Sequence, residues 1–229
     1  MRKKWLAVSL TLALASASSL LHADADADIA AGESKASSCV SCHGEKGNSA
    51  VSTFPKLAQQ DASYLRKQLH AFKDGSRKNP MMESIAKSLS DQDIIDIAAY
   101  YTAQKISAND LPVVNDDDDD EDDKPAISEA DKNAAMEKIM AAGSNLYRNG
   151  DLTNEVSACI ACHGPLGEGN EPAAFPSLRS QHADYLIKTL TDFKNGNRSN
   201  NPENMMHMIT KKMTVEEIKA VSYRISMMK

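Results

Sequence analysis

Several features that a chain of 229 residues often has are missing here. Cysteine occurs at four positions only, all inside two short motifs, so none is left for another role. No stretch past the first two dozen residues is apolar for long enough to span a bilayer, which excludes a further membrane helix. No segment alternates convincingly in the manner of a strand, which removes the βαβ surround that a thioredoxin-like redox pair needs. The one tryptophan, Trp5, lies in a leader-like N-terminal segment and is expected to leave with it.

What is present is a motif used twice. Cys39-Val40-Ser41-Cys42-His43 recurs as Cys159-Ile160-Ala161-Cys162-His163, 120 residues later. Both are C-x-x-C-H, the attachment signature of c-type haem. On a helical turn the two thiols project to neighbouring points of one face, where each can form a thioether to a haem vinyl group. The adjacent histidine, His43 or His163, then lies under the same porphyrin and can take an axial position on the iron. Zinc is the more serious rival, because two C-x-x-C pairs and two histidines hold enough ligands for it. A shared zinc site would have to bridge two repeated domains across an acidic linker, and the sequence points instead to two covalently bound haem c groups.

Residues 1–23 begin with Arg2, Lys3 and Lys4, continue with an apolar run from Trp5 to Leu14 and end in small residues, the layout of a secretory signal peptide. Cleavage is expected after Ala23 or Ala25, and an uncleaved anchor is the other reading. Export fits haem attachment after translocation and places the protein in the periplasm. The full chain has 26 basic and 32 acidic residues, a net charge of −6, and loss of the three leader cations takes it to −9. An acidic chain carrying haem carboxylates is no partner for nucleic acid. It suits a basic protein surface.

The repeat extends beyond the motif. Phe54-Pro55-Lys56-Leu57 answers to Phe175-Pro176-Ser177-Leu178, Tyr64-Leu65 to Tyr185-Leu186, and Leu69, Phe72, Lys73, Gly75 and Arg77 to Leu190, Phe193, Lys194, Gly196 and Arg198. Between the copies, Asp116 to Asp123 is an unbroken run of eight acids flanked by Pro112 and Pro125, read as a self-repelling, extended linker. The expected organisation is a signal peptide at 1–23, a first domain at 26–108, an acidic linker at 109–127 and a second domain at 128–229.

Periodicity predicts an all-α fold. Leu65, Leu69 and Phe72, with Leu186, Leu190 and Phe193, mark an amphipathic helix in each half. Capping signals at Ser90 and Thr214 lead into closing helices with stripes at Ile94, Ile97, Ala98 and Tyr101, and at Ile218, Val221 and Ile225. Ser128 is placed to cap a further helix running towards Arg148. So few helices leave each domain little apolar core of its own, and a haem fills that gap.

The other axial position has methionine candidates. Aligning the caps puts Met82 and Met206 eight residues before Ser90 and Thr214, with Met81, Met205 and Met208 as fall-backs. His70, His182 and His207 have no histidine counterparts in the opposite half, so they are assigned surface or core roles. Arg77 and Arg198 are read as exposed surface arginines, with haem carboxylates as the other partner considered.

Taken together, these residues resemble the di-haem cytochrome c4 family, with two class I cytochrome c-like domains in tandem, each wrapped around one covalent haem. The likeness covers essentially all of the chain past the leader. It implies that Pro55 and Pro176 line the histidine side of each haem, where a backbone carbonyl accepts the ligand's Nδ1 proton. It also implies a one-electron carrier, not an enzyme, moving electrons from a membrane quinol-oxidising complex to a terminal oxidase, with peripheral membrane association left open. A di-haem enzyme of peroxidase type and a metal-binding interaction module are the alternatives. The acidic run departs from the compact linker of the family and puts in question how closely the two domains pack. If that run is a spacer, shortening Asp116–Asp123 leaves the absorption spectrum and both reduction potentials unchanged; slower reduction by a partner protein would assign it to docking instead.

Overall fold

A computed structural model describes residues 27–112 and 128–229. The leader, its two cleavage sites and the acidic run lie outside the described residues. Among those described, the fold is helical, and pairing between extended segments is limited to two isolated bridges, Asp151 with Val156 and Asn170 with Phe175. No helix among them is long and apolar enough to cross a membrane.

The first half contains α1 (Ile29–Ala36), α2 (Val40–His43), α3 (Ala62–Lys73), α4 (Pro80–Lys87) and α5 (Asp91–Thr102). The second contains α6 (Glu129–Asn149), α7 (Ile160–His163), α8 (Ala183–Lys194), α9 (Met205–Thr210) and α10 (Val215–Ser226). In each half the closing helix packs on the opening and middle ones, α5 on α1 and α3, α10 on α6 and α8. The expected stripes face inward: Ile94, Ile97, Ala98 and Tyr101 are buried, as are Ile218, Val221 and Ile225. Both closing helices start at reciprocal capping boxes. Ser90 Oγ accepts from Asp93 N–H at 3.1 Å while Asp93 Oδ2 accepts from Ser90 N–H at 2.9 Å, and Thr214 with Glu217 repeats the arrangement. Ser128 Oγ accepts from Asp131 N–H at 3.2 Å, so the helix read towards Arg148 begins at the expected cap.

Two features were not legible. The methionine clusters, expected in the interval between the middle and closing helices, lie on helices of their own, α4 and α9. Asn79 caps α4 through Met82 N–H, with Pro80 in the first turn, and that Asn-Pro pair is the signal the periodicity reading passed over. The second is a close helix crossing in each half. A Cβ on Gly32 of α1 would stand 2.1 Å from the Asp96 carbonyl oxygen of α5, and one on Gly143 of α6 would stand 2.0 Å from that of Ala220 of α10.

The two halves pack directly on one another in spite of the acidic run. The Gln60 side chain donates to the Ser177 carbonyl and accepts from the Ser177 N–H, both at 2.8 Å. Gln181 does the same to Lys56, at 2.9 and 2.8 Å. Each glutamine replaces the strand-like partner that a buried backbone segment would otherwise lack, and the pairing is reciprocal, as a pseudo-twofold axis requires. Asn109, at the start of the segment read as linker, is held in the same interface by the carbonyls of Ser180, Gln181 and Ser226.

One polar group in this interface is badly served. Asp61 Oδ2 is buried with no hydrogen-bond partner. Burial, then the nearby Glu171 carboxylate, raise the Asp61 pKa to about 6 against the opposing pull of Arg179. Between the unfolded value near 3.8 and about 6 the folded chain therefore binds more protons than the unfolded one. Stability contributed by Asp61 is full below that window and is lost as pH rises through it. Asp61→Asn should accordingly stabilise the protein at pH 7, by on the order of 1 kcal/mol once solvent screening is allowed for, and change little at pH 4, as read by urea unfolding at both pH values. Gly32→Ala and Gly143→Ala should each cost about 1–3 kcal/mol in the same assay, because the clash is with backbone.

Candidate cofactor sites

Each motif is a single helical turn that follows directly on its first cysteine, α2 after Cys39 and α7 after Cys159. One turn sets Cys39 and Cys42, or Cys159 and Cys162, on one face with the histidine beside them. The turn has to stop at once for the imidazole to face inward. Gly44 and Gly164 stop it at φ of 74° and 78°, their N–H groups donating back to Val40 and Ile160 at 2.9 and 3.1 Å. A Cβ on Gly44 would stand 2.1 Å from the Asn48 carbonyl oxygen, so glycine is the residue that fits.

His43 and His163 are buried, each 8% exposed. Nδ1 of His43 lies 2.9 Å from the Pro55 carbonyl oxygen, and Nδ1 of His163 lies 3.0 Å from that of Pro176. A carbonyl only accepts, so Nδ1 bears the proton and the Nε2 lone pair is left to bind a metal. Burial lowers both imidazole pKa values, more than the proline carbonyls raise them, and favours the neutral ligand form. Phe54 and Phe175 stand against the two rings at 6.4 Å between centroids.

The four cysteines are half-buried and free of disulfides. Burial pushes the Cys39 thiol up and that of Cys159 up to about 11, the opposite of an activated redox thiol. Among the described residues no three His, Cys, Asp or Glu side chains gather closely enough to hold a metal ion, so the two pairs do not form the shared zinc site. They instead line one cavity of about 910 Å³ that continues from Cys39, Cys42 and His43 to Cys159, Cys162 and His163. Paired thiols, a histidine with free Nε2 and apolar lining from Leu65 and Phe72 in the first half and Leu186 and Phe193 in the second fit a covalently attached haem in each.

Met82 and Met206 also line this cavity and are half-buried. Both have their backbone N–H held by an asparagine side chain, Asn79 at 3.0 Å and Asn201 at 2.9 Å. Met81 and Met208 line it too but are 54% and 51% exposed, whereas Met205 is half-buried like Met206. The remaining histidines among the described residues are elsewhere engaged or exposed. His182 Nε2 meets the Ser49 carbonyl of the first half at 2.9 Å, His207 Nδ1 meets that of Phe193 at 2.8 Å, and His70 is exposed.

The reading of Arg77 and Arg198 as exposed surface residues is corrected. Arg198 is buried and Arg77 half-buried. Each guanidinium lies over a phenylalanine of its own half, Phe72 or Phe193, at 4.5 Å. Each then crosses the interface, Arg77 to the Tyr185 hydroxyl at 3.1 Å and Arg198 to that of Tyr64 at 3.0 Å. Stacking removes one guanidinium face from water and the partner half removes the rest, which a surface reading of one domain cannot anticipate. Burial alone pushes the Tyr185 phenol up, but the two arginines outweigh it and hold its pKa below the ordinary range.

The chain matches the cytochrome c family model twice, over residues 29–102 and 140–226. It is 40% identical over 232 residues to a cytochrome c4 of Azotobacter vinelandii, covering 97% of each chain. Reduced recombinant cytochrome c4 from Pseudomonas stutzeri has a similar structure, with a TM-score of 0.75 at 36% identity, covering 89% of this chain and all of that one. A thiosulfate dehydrogenase electron acceptor of Stutzerimonas stutzeri is 35% identical over 188 residues, 82% of this chain and 77% of that protein. With two helical domains in tandem and a thioether-and-histidine site for one covalent haem c in each, the chain belongs to the cytochrome c4 family of di-haem electron carriers.

Proposed function

We propose that this protein is a periplasmic one-electron carrier that takes electrons from a membrane quinol-oxidising complex and passes them to a terminal oxidase. The observation that carries the reading is that in each half a fixed histidine, held at 2.9 or 3.0 Å by a proline carbonyl, lines the shared cavity together with a half-buried methionine. His43 with Met82 and His163 with Met206 are the proposed axial pairs, and Cys39, Cys42, Cys159 and Cys162 the thioether positions. Each haem supplies an iron that accepts and returns one electron. With His43 and Met82, and His163 and Met206, as its ligands, each iron would have no position left for a substrate, and the buried imidazoles would be held in place by Pro55 and Pro176. The limits proposed for the working parts are 26–108 and 128–229, joined by 109–127, with the leader 1–23 removed on export. The net acidity supports docking on basic partner surfaces at a salt-dependent rate.

The relative named as an electron acceptor for thiosulfate dehydrogenase supports a second reading, in which the electron donor is such a dehydrogenase. The acceptor side of the proposal is the same in both.

The deciding measurement is the absorbance spectrum of the exported protein, oxidised and reduced, with haem quantified per chain and the weak near-infrared methionine-to-iron band recorded. Two low-spin haems with that band at two-haem intensity are expected. Met82→Ala and Met206→Ala should each halve the band, whereas Met81→Ala and Met208→Ala should leave it intact. One high-spin haem in the unaltered protein would move the case to a peroxidase-type enzyme.

A further inference from the structure

The second half reaches its cysteine motif by a detour that the first half lacks. α1 ends at Ala36, three residues before Cys39, whereas α6 ends at Asn149, ten before Cys159. The added stretch is a closed turn. Asp151 and Val156 donate their N–H groups to each other's carbonyls at 2.9 and 2.7 Å. Inside it Asp151 Oδ1 accepts from Thr153 N–H at 2.7 Å, and Oδ2 accepts from Asn154 Nδ2 at 2.8 Å. Val156 is buried in the core of this half, which anchors the turn, while Leu152 at its tip is 94% exposed.

Leu152 lines a groove of about 660 Å³ between α6 and the start of α10, together with Ile139, Ala142, Leu146 and Ala220. The charged groups that line it among the described residues are Asp151, Glu216 and Glu217 against the single cation Lys138. The Thr153 N–H holds the Asp151 carboxyl below its ordinary range, and the Glu216 carboxyl is held low by its own backbone N–H. Glu155, on the same turn, is paired with Lys212. The groove is therefore apolar along its floor and anionic along its rim. An exposed leucine alone means nothing, but one fixed over an apolar groove offers a surface to a partner.

The sign of the rim selects the occupant. An anionic lipid surface and the acidic run Asp116–Asp123 of this same chain carry the same sign as Asp151, Glu216 and Glu217, and both are repelled. A segment with one apolar face flanked by lysine or arginine is complementary to floor and rim together, in the manner of an amphipathic helix laid into a groove. Position adds a reason for such a contact. Beyond Val156 the chain runs through Ser157 and Ala158 to Cys159, all three of which line the cofactor cavity. The turn thus has one end at the groove and the other at the second attachment site.

We propose that the groove of α6, α10 and the Leu152 turn docks a helical segment of a partner protein, apolar on one face and flanked by lysine or arginine, and so holds a redox partner beside the second half. Leu152 is the anchor that the partner buries, and the rim carboxylates fix its orientation. The partner's being a redox protein rests on the carrier reading; the docking itself does not.

The test titrates the reduced, exported holoprotein with a synthetic helical peptide that has leucine at i, i+3, i+4 and i+7 and lysine elsewhere, and follows the methyl NMR signals of Ile139, Leu146 and Leu152. Saturable shifts of these methyls are expected, with none from the same peptide carrying glutamate in place of lysine. Leu152→Ser, at an exposed position that the fold does not depend on, should weaken binding by about ten-fold or more, the worth of one leucine buried on docking. Glu216→Gln should weaken it less, and only at low salt, whereas Val51→Ser on the first half should change nothing. Methyls that stay still while the peptide binds place it on the acidic run and overturn the proposal. So do an equal response to the glutamate peptide and an affinity that Leu152→Ser leaves intact. Shifts produced by phosphatidylglycerol vesicles in place of the peptide, or by raising the protein concentration alone, would give the groove to a membrane or to a second copy and overturn it as well. The haem spectrum bears on the carrier reading alone, so failure of that reading and failure of this one are told apart.

Discussion

A hydrogen bond made twice, from a buried imidazole Nδ1 to a proline carbonyl, holds the rest of the structure in order. It fixes the tautomer and the direction of His43 and His163, and it ties each C-x-x-C-H turn to the Phe-Pro-x-Leu segment that follows. The next residue along that segment, Lys56 or Ser177, offers its backbone N–H and carbonyl to the glutamine of the opposite half. Ligand orientation and domain docking are thus consecutive links of one short chain of contacts. A movement at the interface is felt at the histidine within two residues.

The polar character of that interface follows from the same economy. Each half has few helices and spends its apolar faces on its own core and on the shared cavity, so the surfaces left to meet are rich in backbone groups and in Gln, Tyr, Arg and Asn. They satisfy one another reciprocally. Reciprocity also exposes exceptions, because a pseudo-twofold contact is sensitive to any position where the two copies have diverged. Lys56 and Asp61 are such positions, one a cation with neutral acceptors and the other a carboxylate with an unserved oxygen.

Much of this could be read directly from residue order. The cysteine and histidine positions, the inward stripes of α5 and α10 and the caps at Ser90, Thr214 and Ser128 are all local, set by spacings within a few residues, and local geometry is what a helical turn imposes. The helices carrying the methionines escaped because α4 and α9 are short, eight and six residues, too brief for periodicity to stand out. The start of α4 was still encoded in the Asn79-Pro80 pair, whereas Asn201-Pro202 opens a 3-10 turn ahead of α9.

The sequence by itself determined the cofactor type, the duplication and the helical class, because covalent attachment demands a fixed local spacing and repetition is visible without a fold. Only the tertiary structure decided that Arg198 is buried and that Gln60 and Gln181 clamp the opposite half. Those facts depend on residues more than a hundred positions apart meeting across an interface, and no periodicity within either half records which groups will face each other there.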